Sequence, residues 1–187
     1  MILLLLGLAL WIAAHAFKAA APGARADLAA RLGDGPARGA MAAGIGLGLL
    51  LMILGYRAAP FVAIWTPPLW TVHLNNLLML VAFVVFGMGM SKGRARAWLR
   101  HPMLTGVAIW ALAHLLVNGD LASILLFGGL GAWALAEMAL INARDGAWVR
   151  PAPGPASGDV RLVIIGVVAF SVTAAIHAWL GVWPFPG

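Results

Sequence analysis

The sequence predicts an all-α integral membrane protein with a bundle of about six transmembrane helices, and three observations carry that prediction. Of the 187 residues, 63% are hydrophobic and 10% charged, a balance outside the soluble globular range. Apolar runs bounded by charge or proline occur six times, at about 2 to 17, 41 to 57, 69 to 90, 102 to 117, 121 to 142 and 162 to 183. Lys and Arg number 4, 1, 4, 0 and 3 in the five intervening segments, which accounts for all twelve. That alternation follows the positive-inside rule and places both termini away from the cytoplasm, in a multi-pass protein.

The first run, MILLLLGLALWIAAHAF, has its basic residues Lys18 and Arg25 after the apolar core. A cleaved signal peptide carries them before it, so this run reads as a retained first span. In ARADLAARLG, which follows, Leu28 and Leu32 lie one turn apart among arginines, the pattern of a short helix lying on the membrane surface. The second run carries Gly44 and Gly48, a small-xxx-small pair that marks close helix packing. Trp65, Trp70, Trp179 and Trp183 fall at the outer interface and Trp98 and Trp148 at the inner one, as an aromatic belt requires.

His101-Pro102 opens the fourth run, and the triplet NGD at 118 to 120 closes it. There the sequence predicts a tight hairpin in which Gly119 ends one helix and Asp120 caps the next. Glu137, near the inner end of the fifth run with Arg144 two turns on, is expected to snorkel or to pair with an inner arginine. PAPGPASG at 151 to 158 reads as a flexible linker before the last run. No repeat or separate soluble domain interrupts residues 1 to 187, so the chain reads as a single transmembrane domain. The formal charge of +6 is explained by topology and by the anionic lipid of the bilayer, with no nucleic-acid partner.

The chain has no cysteine, which excludes disulfides, iron–sulfur clusters, thiolate haem ligation, covalent haem attachment through CxxCH and cysteine nucleophiles. Neither a GxGxxG nor a P-loop is present, and Ser, Thr and Asp form no nucleophile constellation. Metal chemistry must then use nitrogen or oxygen, and all five histidines lie in or beside apolar runs. Ionisable groups there are functional candidates, and a buried neutral imidazole keeps a lone pair for a metal.

His114 shares an i, i+4 stripe with Gly106, Trp110 and Asn118; His15 follows Trp11 by one turn; His73 shares a face with Asn76; His177 shares one with Gly166, Thr173 and Gly181. At 1.5 Å per residue, His114 and His177 fall roughly 20 Å from the inner boundary and His73 roughly 6 Å below the outer one, while His15 lies about 10 Å deeper than His114. Two readings stand at this point. The four histidines could share a cofactor site, or each could be a hydrogen-bonded core histidine joining two helices. His101 points about 140° away from His114 around its helix and reads as a capping or lipid-facing residue, or part of a second site near His15.

The stretch HPMLTGVAIWALAHLLVNGDLASILLFGG, with APGARADLAARLGDG after the first run and WTVHLNNLLML in the third, resembles the NnrU family over nearly the whole chain. Bacterial members of that family are linked by name and gene context to denitrification. A plant and cyanobacterial relative is 15-cis-zeta-carotene isomerase, a multi-span enzyme that uses haem b. The resemblance implies haem b ligation by His15 and His114, with His73 and His177 near the ring or as replacement ligands; His101 matches the histidine of the HP pair. Ala111 stands where the isomerase has a cysteine thought to exchange as a ligand, a departure that bears on isomerase activity more than on bis-histidine ligation. The resemblance leaves three roles: a haem-dependent isomerase or oxidoreductase acting on a lipid-soluble substrate, a non-catalytic haem or electron-transfer protein serving denitrification components, and a structural membrane protein without a cofactor.

Overall fold

The computed structural model describes residues 1–186, except for the side chains of Lys18 and Ala19. Among the described residues there are seven α-helices, α1 (Ile2–Ala20), α2 (Pro22–Leu32), α3 (Asp34–Arg57), α4 (Thr71–Gly87), α5 (Pro102–Leu115), α6 (Leu121–Asp145) and α7 (Ala156–Trp179), with a 3-10 turn at Ala95–Ala97. Among the described residues no strand forms, and a single antiparallel bridge joins Ala63 to Asp120. Three helices, α3, α6 and α7, are long and apolar enough to cross a membrane, and a fourth crossing results if the bent pair of α1 and α2 is one span. This is an all-helical membrane protein.

The six apolar runs are therefore not six helices of spanning length. Helix α4 has 17 residues and α5 has 14, about 26 and 21 Å at the helical rise, against a hydrocarbon core of about 30 Å. Prolines shorten both: Pro67 and Pro68 precede α4, and Pro102 occupies the first turn of α5. Helix α3 is instead longer than its apolar run and starts at Asp34, because Gly33 at φ 82° breaks the chain there. Pro36 is tolerated in its first turn, where Asp34 and Arg38 form an exposed i, i+4 pair at 3.9 Å. Helix α2 turns 86° from residues 2–17 and buries none of its residues.

The contacts divide the chain into two compact units, Met1–Ile64 with Asp120–Gly129, and Trp65–Gly119 with Leu130–Gly187. In the first, α1 and α3 meet backbone to backbone. A Cβ on Gly55 would lie 2.2 Å from the Leu4 amide nitrogen, one on Gly7 2.6 Å from that of Met52, and one on Gly48 3.0 Å from that of Trp11. Gly44 is looser, with the Ala14 Cβ at 4.0 Å. The glycine contact expected of the second run is present but lies deeper along α3, with Leu4, Leu8 and Met52 buried around it.

The start of α6 belongs to the same unit. Asp120 caps it, accepting from the Ser123 amide at 3.0 Å and from the Ser123 hydroxyl at 2.5 Å. Since Ser123 spends its only hydroxyl proton on Asp120, the Tyr56 hydroxyl must donate to Ser123 Oγ at 2.9 Å. Asp120→Ala should therefore cost about 1 kcal/mol or more, and Asp120→Asn should restore most of it. Paired thermal melts would show this; equal melting of the alanine variant and the parent chain would refute the cap.

In the second unit, Gly106 of α5 lies against the backbone of Phe86 in α4, and Gly166 of α7 against Val84. Leu162, Val85, Met88 and Ala95 bury each other at the lower end. Gly119 does not end α5 in a left-handed turn, because its φ is not positive. Its small size is needed for another reason: a Cβ there would lie 1.9 Å from the Trp65 carbonyl oxygen, and its own carbonyl accepts from the Trp65 amide at 3.1 Å. PAPGPASG is not a free linker. Gly154 donates to the Gly93 carbonyl at 3.1 Å, and Asp159, in the first turn of α7, accepts from the Ala95 amide at 2.9 Å.

Candidate functional site

Three of the histidines inside helices are held by the same local device. His15 Nδ1 donates to the Trp11 carbonyl at 2.9 Å, His114 Nδ1 to the Trp110 carbonyl at 2.9 Å, and His177 Nδ1 to the Thr173 carbonyl at 2.8 Å. A carbonyl oxygen only accepts, so Nδ1 carries the proton in each neutral ring and Nε2 is left as the acceptor or metal-coordinating atom. The partner is one turn upstream each time, which the helix rise enforces once the ring lies back along its own helix.

Two of these rings also rest on the tryptophan whose carbonyl they use. The Trp11 and His15 ring centroids are 4.4 Å apart, and those of Trp110 and His114 are 5.1 Å apart, both pairs tilted. Asn118, on the predicted His114 stripe, donates to the His114 carbonyl at 2.8 Å rather than to its ring. Gly106 on that stripe is consumed by packing on Phe86.

Within the second unit the structure brings His114 and His177 to one cavity of about 50 Å³, lined also by Asn75, Asn76, Phe83 and Thr173. That is room for a water molecule or two. Asn75 is buried and its Oδ1 has no hydrogen-bond partner, while its Nδ2 donates to Asn76 Oδ1 at 3.3 Å. A buried amide oxygen in that position needs a donor. Asn75 was not singled out in the sequence because its neighbour Asn76 shares the His73 face; the signal was the NN pair itself, of which the buried member could not be chosen.

His73 does not line this cavity and is exposed on α4. His15 belongs to the first unit and is half-buried there. His101 occupies the cap position of α5 without making a side-chain cap bond, and its ring instead meets Asn142 of α6 at 2.8 Å. Glu137 does not pair with Arg144, which binds the adjacent Asp145 at 2.6 and 3.1 Å. Two helical turns separate Glu137 from Arg144, about 10 Å along the axis, whereas Asp145 is its immediate neighbour. The buried Glu137 Oε2 has no hydrogen-bond partner.

Beside the polar cavity lies an apolar cleft of about 260 Å³ between α4 and α5, lined by Ala82, Phe86, Val107 and Trp110 among others. Met79 and Phe83 of α4 line both spaces. No group of three or more His, Asp or Glu residues that could hold a metal ion occurs among the described residues. His15, His73, His114 and His177 come from four different helices. A family model described as NnrU protein matches residues 3–184. No curated protein and no solved structure matches the chain.

Proposed function

The chain belongs to the NnrU family, and from that membership we propose that it is a haem b-binding integral membrane protein in which His114 would hold the iron. The observation that carries the reading is the shared state of His15, His114 and His177: Nδ1–H on a carbonyl one turn back, Nε2 presented. Ligating histidines use this arrangement, since the second hydrogen bond fixes the ring and raises its basicity. The donor set fits haem, which asks for one or two axial imidazoles and not for a three-residue cluster. The family resemblance implies His15 as the second imidazole.

Haem iron, when bound, supplies one-electron or Lewis-acid chemistry. The residues of the chain do the rest. Trp110 holds the His114 ring through its carbonyl and its indole face. Asn75 and His177 offer two acceptors to a small protic molecule in the cavity beside it. The wholly apolar cleft next to that cavity favours a lipid-soluble substrate and an isomerase or oxidoreductase role. The second reading, a non-catalytic haem partner in denitrification, draws on the family and on Ala111, a small buried residue where the isomerase has its cysteine. The proposal includes six membrane passages in a bacterial inner membrane with both termini outside the cytoplasm; α4 and α5 would cross as short helices.

The test is an absorption spectrum of the detergent-purified protein, oxidised and dithionite-reduced, followed by pyridine haemochrome analysis. The expected result is a b-type signal near one per chain. No haem after expression with haem supplied would overturn the reading and return the histidines to helix packing.

A further inference from the structure

We propose that the cleft at the foot of α4 and α5 is a phosphate-binding site, filled by the headgroup of an anionic phospholipid. The cleft measures about 290 Å³ and is lined by Arg96, Arg100, Ser91, Met90, Leu99 and Trp148 among others. Arg96 and Arg100 line one concave space, and neither makes an ion pair among the described residues. No carboxylate lines the cleft. Asp145, which lines an adjacent cleft with Arg100, holds Arg144 through two hydrogen bonds, and Asp159 accepts from the Ala95 amide. The positive charge in the cleft is therefore left for something outside the chain.

The site is also built, not merely basic. Arg100 is half-buried and is anchored by one nitrogen, Nη1, on the Gly146 carbonyl at 2.6 Å. The remaining donors of its planar fork are uncommitted, and such a fork matches the spacing of phosphate oxygens. The first turn of α5 opens at the same cleft through Pro102. Its cap residue His101 gives that turn no side-chain acceptor, so the partial positive charge of the helix end adds to the two arginines. Met88, Met90, Leu99 and Trp148 supply an apolar wall, which suits the glycerol and first acyl carbons of a lipid and has no use for a free ion. Diffuse attraction of basic loops to anionic lipid would treat Lys92 and Arg94 equally, yet neither lines the cleft.

That difference is the test, and it is independent of haem. The full-length protein, purified in detergent, is titrated with phosphatidylglycerol and read by native mass spectrometry. The parent chain is compared with Arg96→Gln/Arg100→Gln and with Lys92→Gln/Arg94→Gln, which change net charge equally. The first pair is expected to weaken binding about thirtyfold, at roughly fivefold per charge, and the second to leave it within a few-fold. Equal weakening by both pairs, or by neither, would overturn the site. If the first double variant fails to fold, Arg96→Gln alone, at an exposed position, carries the same comparison at about fivefold. Inorganic phosphate is titrated in a parallel arm without lipid. Arginine-dependent binding of phosphate that exceeds that of phosphatidylglycerol would uphold the oxyanion site and assign it to a soluble phosphate; binding only of the lipid assigns it to the membrane.

Discussion

His114→Ala is expected to carry at most about a tenth of the parent chain's haem after purification. Changes to residues that merely support a ligating histidine already cost ten- to a hundredfold in metal affinity, so removing the imidazole itself should cost no less. Trp110 and its carbonyl remain in place in this variant, and the ring they hold is gone. Unfolding is separated from ligand loss by adding imidazole, which should restore the haem spectrum to a folded chain with a vacant ligand position. His177→Ala should retain haem, since the proposal gives His177 a place in the neighbouring cavity rather than on the iron. Full haem retention by His114→Ala would remove His114 as a ligand, and full retention by a His15→Ala, His114→Ala double variant would end the histidine-ligation reading altogether.

Gly55→Ala is expected to produce a large loss of stability from a single methyl group. The added Cβ would meet main-chain atoms of Leu3 and Leu4, the nearest at 2.2 Å, and main chain cannot rotate away as a side-chain end can. Overpacking of this kind costs about 3 kcal/mol or more, a fall in melting temperature on the order of 10 °C. Gly46→Ala, on the same helix, adds its methyl where nothing lies within 4 Å. It should be neutral or slightly stabilising, because alanine favours helix over glycine by up to about 1 kcal/mol. Tryptophan fluorescence during heating reads both variants. Similar melting of the two would mean that α1 and α3 are not held by close approach at Gly55.

The glycine pair shows how far local pattern reaches. Gly44 and Gly48 are legible in the sequence because small residues at i, i+4 form a ridge gap on any helix. Gly7 and Gly55 carry the tightest approaches between α1 and α3 but lie outside that pattern, and only the register of the two helices selects them. The capping of α6 by Asp120 was readable because it is complete within four residues. The role of Gly119 was not, since the carbonyl that excludes its side chain belongs to Trp65, 54 residues earlier.

The candidate site divides along the same line. Its histidines, and the aromatic or hydroxyl residue one turn before each of them, follow from helical period alone, because both ends of the Nδ1 hydrogen bond lie on one helix. Which imidazoles share a cavity does not follow. His73 and His177 have equal standing in the sequence, yet His177 meets Asn75 and His114 while His73 is exposed, a result of how α4, α5 and α7 are rotated about their axes. The same holds for charge. Sequence alone determined the membrane class and the helical content, since these depend on composition and short-range period. Tertiary structure decided which glycines admit backbone contact, which asparagine is buried without a donor, and which two arginines face a cleft without a counter-charge, since each depends on a neighbour distant in the chain.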